Sequence, residues 1–216
     1  MDTTFAIVGT SGRKEDANRL SKPHFEAMCE CARLLLKQFE ESDYGVDTLV
    51  SGGAAWSDHV AVKLFLNKEV PKLKLFFPCQ YDANANMFDP APLNAHEAEK
   101  GYSTGQTANR YHGRFSRIVG FSSLGEISLA IQQGAQIAVP RGGFYGRNAM
   151  VAQSDIILAM TFGDKEWLKD GGTAHTVLTY LNRVKKHGFF DKSFHYDLNS
   201  GEIFFGARVK IDEQPK

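Results

Sequence analysis

At 216 residues the chain has the length of one large domain, and a formal net charge of +0 from 25 basic and 25 acidic residues gives it no bulk attraction to nucleic acid or anionic membrane. Hydrophobic residues at 43% and charged residues at 23% match a globular domain able to bury a core without covalent staples. Three cysteines (Cys29, Cys31 and Cys79) exclude a disulfide framework, and no apolar stretch approaches the roughly 20 residues needed to cross a bilayer.

Met1 leads straight into Thr3-Thr4-Phe5-Ala6-Ile7-Val8, a strand rather than a charged segment with an apolar signal core, so the chain reads as intracellular and cytoplasmic. The run Phe5 to Val8 is short and ends at glycine, the mark of a buried central strand. Ser21 is placed to cap the next helix, with Pro23 in its first turn. Phe25, Met28, Ala32, Leu35, Leu36 and Phe39 then recur at steps of three and four, which marks one buried helical face. Cys29 and Cys31, two apart on that helix, point to different sides, which argues against zinc ligation or redox pairing. Thr48-Leu49-Val50 predicts a second strand, and Ala54 to Asn67 a helix with Val60, Ala61, Leu64 and Phe65 inward. Lys72 to Phe77 predicts a third strand, ended by Pro78. Strands and helices in alternation call for a parallel sheet with right-handed crossovers.

Regularity lapses from Gln80 to Gly105. Tyr111, Phe115, Ile118 and Val119 predict one helix beyond it, and Ile127, Leu129, Ala130 and Ile131 another. A segment this long between sheet strands is read as a lid or contact surface, and residues 80–134 are taken as an insertion over the pocket. Ala135 to Val139 predicts a short strand, Tyr145 to Gln153 a helix, and Asp155 to Met160 the clearest late strand. Thr173 to Lys185 is a helix with Val177, Leu178, Leu181 and Val184 inward. Residues 193–210 predict a C-terminal β-hairpin, with arms Phe194–Leu198 and Glu202–Val209 and Gly201 at the left-handed position of its loop. The expectation is a single α/β domain over 1–216: a Rossmann-like, mainly parallel sheet with helices on both faces, the insertion over its carboxyl edge, and the hairpin. The insertion and the hairpin are the surfaces on which a homodimer or higher homo-oligomer would form.

Glycine marks three turns where the carboxyl ends of the strands should lie: Val8-Gly9-Thr10-Ser11-Gly12-Arg13, Val50-Ser51-Gly52-Gly53-Ala54-Ala55 and Asp170-Gly171-Gly172-Thr173. In an open α/β sheet, ligands bind in the crevice outside that edge. Glycine lets backbone approach a ligand, and the open N–H groups of a helix start attract anions. Arg13 adds a guanidinium able to grip a phosphate with two parallel hydrogen bonds. Asp58, in the first turn of its helix, has two readings: a charge favoured by the helix dipole, or a hydrogen-bonding partner of a ribose hydroxyl or base. Arg147-Asn148 opens a helix where the dipole disfavours a cation, so Arg147 belongs either to a surface salt bridge or to an anion across the crevice. Gly171, Gly172 and Thr173 read as a phosphate cup, with His175 and Thr176 one step further on. Neither a Walker loop, a dinucleotide fingerprint nor a metal-ligand cluster stands out, so no cofactor is expected and no metal site is assigned.

Ser51-Gly52-Gly53-Ala54 with Asp58, then Arg147-Asn148-Ala149-Met150-Val151, Ser154 to Ala159 and Gly171-Gly172-Thr173, resemble the SLOG superfamily, which joins the Smf/DprA-like proteins and the Lonely Guy cytokinin-activating enzymes. The resemblance covers roughly residues 3–78 and 141–185 and leaves 80–134 and the tail unmatched. It implies a nucleotide or nucleotide-derived ligand held by Gly9, Thr10, Ser11, Arg13, Ser51, Gly52, Gly53, Asn148, Gly171, Gly172 and Thr173. In the Lonely Guy branch, which hydrolyses the N-glycosidic bond of nucleoside monophosphates, Arg147 matches the catalytic arginine. The glutamate that assists cleavage there falls on Thr176, which cannot act as a base at neutral pH. Such a reaction builds positive charge on the sugar, so a hydrolase needs a carboxylate from elsewhere. Asp58 is one candidate; Glu97, Glu99 and Glu126 are others. The leading expectation is a sensor or sequestering protein for a nucleotide; the alternative is a nucleoside 5'-monophosphate N-glycosidase. DNA binding, as in the DprA branch, is not expected, because Arg183, Lys185, Lys186 and His187 read as the dipole-favoured basic end of a helix.

Overall fold

β1 (Thr4–Gly9) lies at the centre of the sheet because both of its faces are apolar. A strand alternates its side chains, so Phe5 and Ile7 enter one core while Ala6 and Val8 enter the other. This computed structural model describes residues 2–42, 45–168 and 171–209. After a short α1 (Asp16–Arg19), α2 (Lys22–Glu41) buries Phe25, Met28, Ala32, Leu35 and Leu36, the predicted face. Its Ser21 does not cap: the hydroxyl lies 2.7 Å from His24 Nδ1 instead. β2 (Thr48–Ser51), α3 (Ser57–Leu66) and β3 (Lys72–Phe76) follow as expected. α3 starts at Ser57 rather than Ala54 because Trp56, at φ 64°, breaks the helical path.

Residues 80–134 form the crossover from β3 to the next sheet strand and contain real elements. A small hairpin of β4 (Tyr81–Asp82) and β5 (Met87–Phe88) precedes α4 (Ala95–Glu99), α5 (Thr104–Val119) and α6 (Ser123–Gln132). Phe115 of α5 and Ile127 of α6 join the same core as α2 and α3, so this segment completes one helical layer and brings Tyr111 and His112 to the carboxyl edge. β6 (Gln136–Ala138), α7 (Gly143–Val151), β7 (Ile156–Thr161), β8 (Trp167–Leu168) and α8 (Gly172–His187) come next. α7 and α8 cover the opposite sheet face through Val151, Val177, Tyr180 and Val184.

β9 (Ser193–Asp197) and β10 (Glu202–Phe205) form the expected hairpin, with Gly201 at φ 74°. Its second arm ends earlier than predicted. The chain turns at Gly206, and β11 (Arg208–Val209) pairs in parallel with β8 instead; Lys210 lies outside the described residues. The main sheet has 7 strands in the order β10-β9-β7-β1-β2-β3-β6, parallel throughout except for β10. It is the Rossmann-like α/β architecture expected from the sequence. From β1 the chain winds outward through β2, β3 and β6, then returns to β7 on the other side, so the order reverses between β1 and β7. Such a switch point leaves an open crevice at the carboxyl edge. Among the described residues, no helix is long and apolar enough to cross a membrane.

Candidate functional site

The turn after β1 is held by its own side chains. Thr10 N–H donates to the Met160 carbonyl at 2.9 Å, joining the ends of β1 and β7. The Thr10 hydroxyl donates to Asp16 at 2.7 Å and accepts from Gly12 N–H at 3.2 Å, so it shapes the loop rather than facing the crevice. Ser11 and Arg13 do face it. The Arg13 guanidinium lies 5.2 Å from the Phe144 ring centroid and 5.4 Å from that of Tyr111, a cation–π placement.

Asp58 organises the turn after β2. It is 3% exposed, and one carboxylate oxygen accepts from Gly52 N–H at 3.1 Å and Ala54 N–H at 3.3 Å. Ser51, fully buried, donates its hydroxyl to the Asp58 carbonyl at 2.9 Å and accepts from Gly53 N–H, so it stabilises the turn from behind. Gly52 is required by space: a Cβ there would stand 2.7 Å from Arg147 Nε and 2.8 Å from Asp58 Oδ2. That opening lets Arg147 and Asp58 both reach the space a side chain would fill. The Gly53 carbonyl accepts from His112 Nε2 at 3.0 Å, and the other ring nitrogen of His112 meets the Ser123 hydroxyl at 3.0 Å. A carbonyl can only accept, so Nε2 carries a hydrogen and donates it.

The third part comes from α7 and α8. Half-buried Arg147 donates from Nε and Nη2 to the side-chain oxygen of Asn148, at 3.2 and 3.0 Å, and from Nη1 to the Gly52 carbonyl at 3.4 Å. Asn148 is 4% exposed and donates in turn to the Gly172 carbonyl at 3.2 Å, which fixes α7 to the start of α8. Gly171 precedes α8 at φ 127°, and the first amides of any helix lack intrahelical acceptors. The Thr173 hydroxyl donates to the Gly9 carbonyl at 2.8 Å, so α8 begins directly against the end of β1. Asp170, the first residue of the predicted cup, lies outside the described residues.

Two adjoining hollows result, and Arg147 lines both. A polar one is bounded by Gly9, Gly52, Asp58, Asn148, Gly172, Thr173 and Thr176. The other is walled by aromatic and apolar groups, including Phe88, Ala108, Tyr111 and Phe144, with Ser11, Arg13, Gly53 and His112 at its boundary. Asp58 is the one carboxylate among the described residues that line either hollow. Burial raises its pKa, against the opposing pull of the Arg147 charge and of the amides of Ala54, Gly52 and Gly9. Burial likewise lowers the pKa of Arg147; Asp58 supports the guanidinium charge and Arg13 opposes it. His112 is pushed down to about 3 by burial, and therefore stays neutral.

The structure thus brings the three predicted turns to one crevice and separates their roles. Gly9, Ser11, Arg13, Gly52, Gly53, Asp58, Arg147, Asn148, Gly172 and Thr173 line it, whereas Thr10 and Ser51 brace it from inside. The carboxylates considered in the crossover do not reach it. Glu97 binds Leu93 and Thr104 locally, Glu126 pairs with His59 and Lys63 between α3 and α6, and Glu99 is exposed. Sequence reasoning missed Tyr111, His112 and Phe144. No motif carries them, although Tyr111 was already placed on a helix.

No protein-family model matches the chain. It is similar to the uncharacterized protein R261 of Acanthamoeba polyphaga mimivirus, 35% identical over 183 residues that take in 83% of this chain and 90% of that protein.

Proposed function

We propose that this chain, which belongs to the same family as the mimivirus protein R261, binds a nucleotide or nucleotide-derived anion at the crevice and serves as its sensor or sequestering protein. The observation that carries this reading is Arg147. Its guanidinium is half-buried, lines both hollows, and its hydrogen-bond partners among the described residues are uncharged oxygens of Asn148 and Gly52. Holding a cation in that setting works against solvation, and a ligand phosphate is the group that would offset it. The start of α8 presents amides to the same space, where the helix dipole favours negative charge. The aromatic hollow beside it offers rings for a flat heterocycle. In this reading the three turns act as SLOG-type nucleotide-binding turns.

The test is calorimetry with nucleoside monophosphates and their unphosphorylated nucleosides. Arg147→Ala should weaken monophosphate binding by tenfold or more, about the worth of one charge-assisted hydrogen bond, and leave nucleoside binding within about twofold. Equal losses for both ligands would remove Arg147 from the phosphate.

One observation favours a second reading, an N-glycosidase acting on nucleoside monophosphates. Asp58 reaches the polar hollow beside Arg147, where an ionised carboxylate would stabilise positive charge developing on a sugar. Release of free base by the wild type and its loss in Asp58→Asn would establish turnover. Ligand-induced stabilisation without base release assigns the protein to binding.

A further inference from the structure

The crevice carries two arginines, and they do not line the same hollows: Arg147 lines both, Arg13 the aromatic one. Arg13 and Arg147 approach the same Phe144 ring, at 5.2 and 5.3 Å from its centroid, and both line the aromatic hollow. Neither forms an ion pair with a carboxylate among the described residues. Asp58, the one carboxylate lining either hollow among the described residues, lines the polar hollow and supports the Arg147 charge, whereas Arg13 lines the aromatic one.

The anion-binding groups therefore fall at two positions. The first is the polar hollow, where Asn148 orients Arg147 and α8 begins at Gly172. The second is the boundary with the aromatic hollow, where Arg13 and Arg147 flank Phe144. Like charges held this close repel, and a bound anion reverses that sign. Arg147 belongs to both positions, so two anionic groups bound there would share it as neighbours on one molecule.

Resting on the nucleotide reading above, we infer that the ligand is of the nucleoside diphosphate class: two linked phosphoryl groups span the hollows across Arg147, and Arg13 holds the one nearer the aromatic hollow. The heterocycle then lies among Tyr111, Phe144 and Phe88, whose rings offer π-faces without a hydrogen-bond pattern that singles out one base. Two of these three residues lie in the crossover, and Phe144 lies on α7. Tyr111 comes from α5 and Phe88 from β5, both within the crossover that the family resemblance leaves unmatched.

Titration calorimetry with AMP, ADP and inorganic phosphate, on the wild type and Arg13→Ala, tests this. Arg13 is exposed on a loop, so its removal leaves the fold intact. In the wild type, ADP should bind about tenfold or more tightly than AMP. The phosphoryl nearer the heterocycle is common to AMP and ADP, so Arg13→Ala should cut both affinities about tenfold, while the second phosphoryl, in the polar hollow, keeps ADP the tighter ligand. Equal wild-type affinity for AMP and ADP overturns the two-phosphate assignment while leaving the nucleotide reading standing. A loss confined to ADP in Arg13→Ala would take Arg13 off the inner phosphoryl and also overturn it. Failure of wild type to bind either nucleotide removes the nucleotide reading and this inference together.

Discussion

Asp58 concentrates the electrostatics of the crevice in one side chain. Burial raises its pKa above the ordinary 3.8, so the folded protein binds that proton more tightly than the unfolded chain does. The native state then holds more protons over the window from 3.8 upward to the folded value, and unfolding free energy falls as pH rises through it. The contribution is fully present below 3.8 and lost above the folded pKa. Asp58→Asn removes it, so urea unfolding of wild type and variant should give a stability difference that shifts against the wild type as pH rises through this window. A difference independent of pH would show that the carboxylate titrates normally. The same protonation bears on the ligand, because a neutral Asp58 does not repel phosphate. Wild-type affinity should fall relative to Asp58→Asn over the same rise, a comparison in which the ligand's own titration cancels. Asp58 was legible in the sequence as a first-turn carboxylate beside two glycines. Its burial was not, since that depends on Arg147 arriving from 89 positions further along the chain.

At the scale of elements, α5 does the most that sequence pattern failed to announce. Its buried residues include Ala108, His112, Phe115 and Val119, a helical spacing in which an alanine and a histidine take two of the core positions. That dilutes the apolar stripe, so the period shows only in its second half, whereas β1 and β7 stand out as unbroken apolar runs. His112 then ties α5 to the β2 turn through Gly53 and to α6 through Ser123. It is neutral in the fold, with its pKa pushed from 6.5 to about 3, so the unfolded chain gains a proton below 6.5 that the native state refuses. Stability from this residue is therefore present above pH 6.5 and lost as pH falls toward 3, at about 1 kcal/mol per pH unit. His59, also buried, adds in the same direction. Denaturant titrations at pH 7 and pH 5 should show the acid loss in the wild type and a smaller one in His112→Gln. An equal loss in both would assign it elsewhere. Phe115 tests the packing of the same helix. Fully buried, with ring centroids 5.0 Å from Phe25 and 4.6 Å from Trp56, it should cost about 3–5 kcal/mol on replacement by alanine.

The whole molecule makes a site that no segment holds alone. β1, the β2 turn, α7 and α8 meet only because the strand order reverses between β1 and β7, and the Asn148 to Gly172 and Thr173 to Gly9 hydrogen bonds close that meeting. A ligand gripping all of them binds the folded chain and has nothing to grip in the unfolded one. Stability then rises by about 2.7 kcal/mol at a ligand concentration 100 times Kd, which for a domain of this length raises Tm by about 5–10 °C. Hydrogen exchange locates the effect. ADP should slow exchange together at the amides around Gly12, Gly52–Ala54 and Gly172–Ala174, which lie far apart in sequence but around one crevice. Protection confined to one of the three turns, with the others exchanging as in the free protein, would mean that they do not act as one site. The crossover gives an internal control. Glu97 and the start of α5 at Thr104 bond to each other away from both hollows, so their exchange should change only as far as global stability changes.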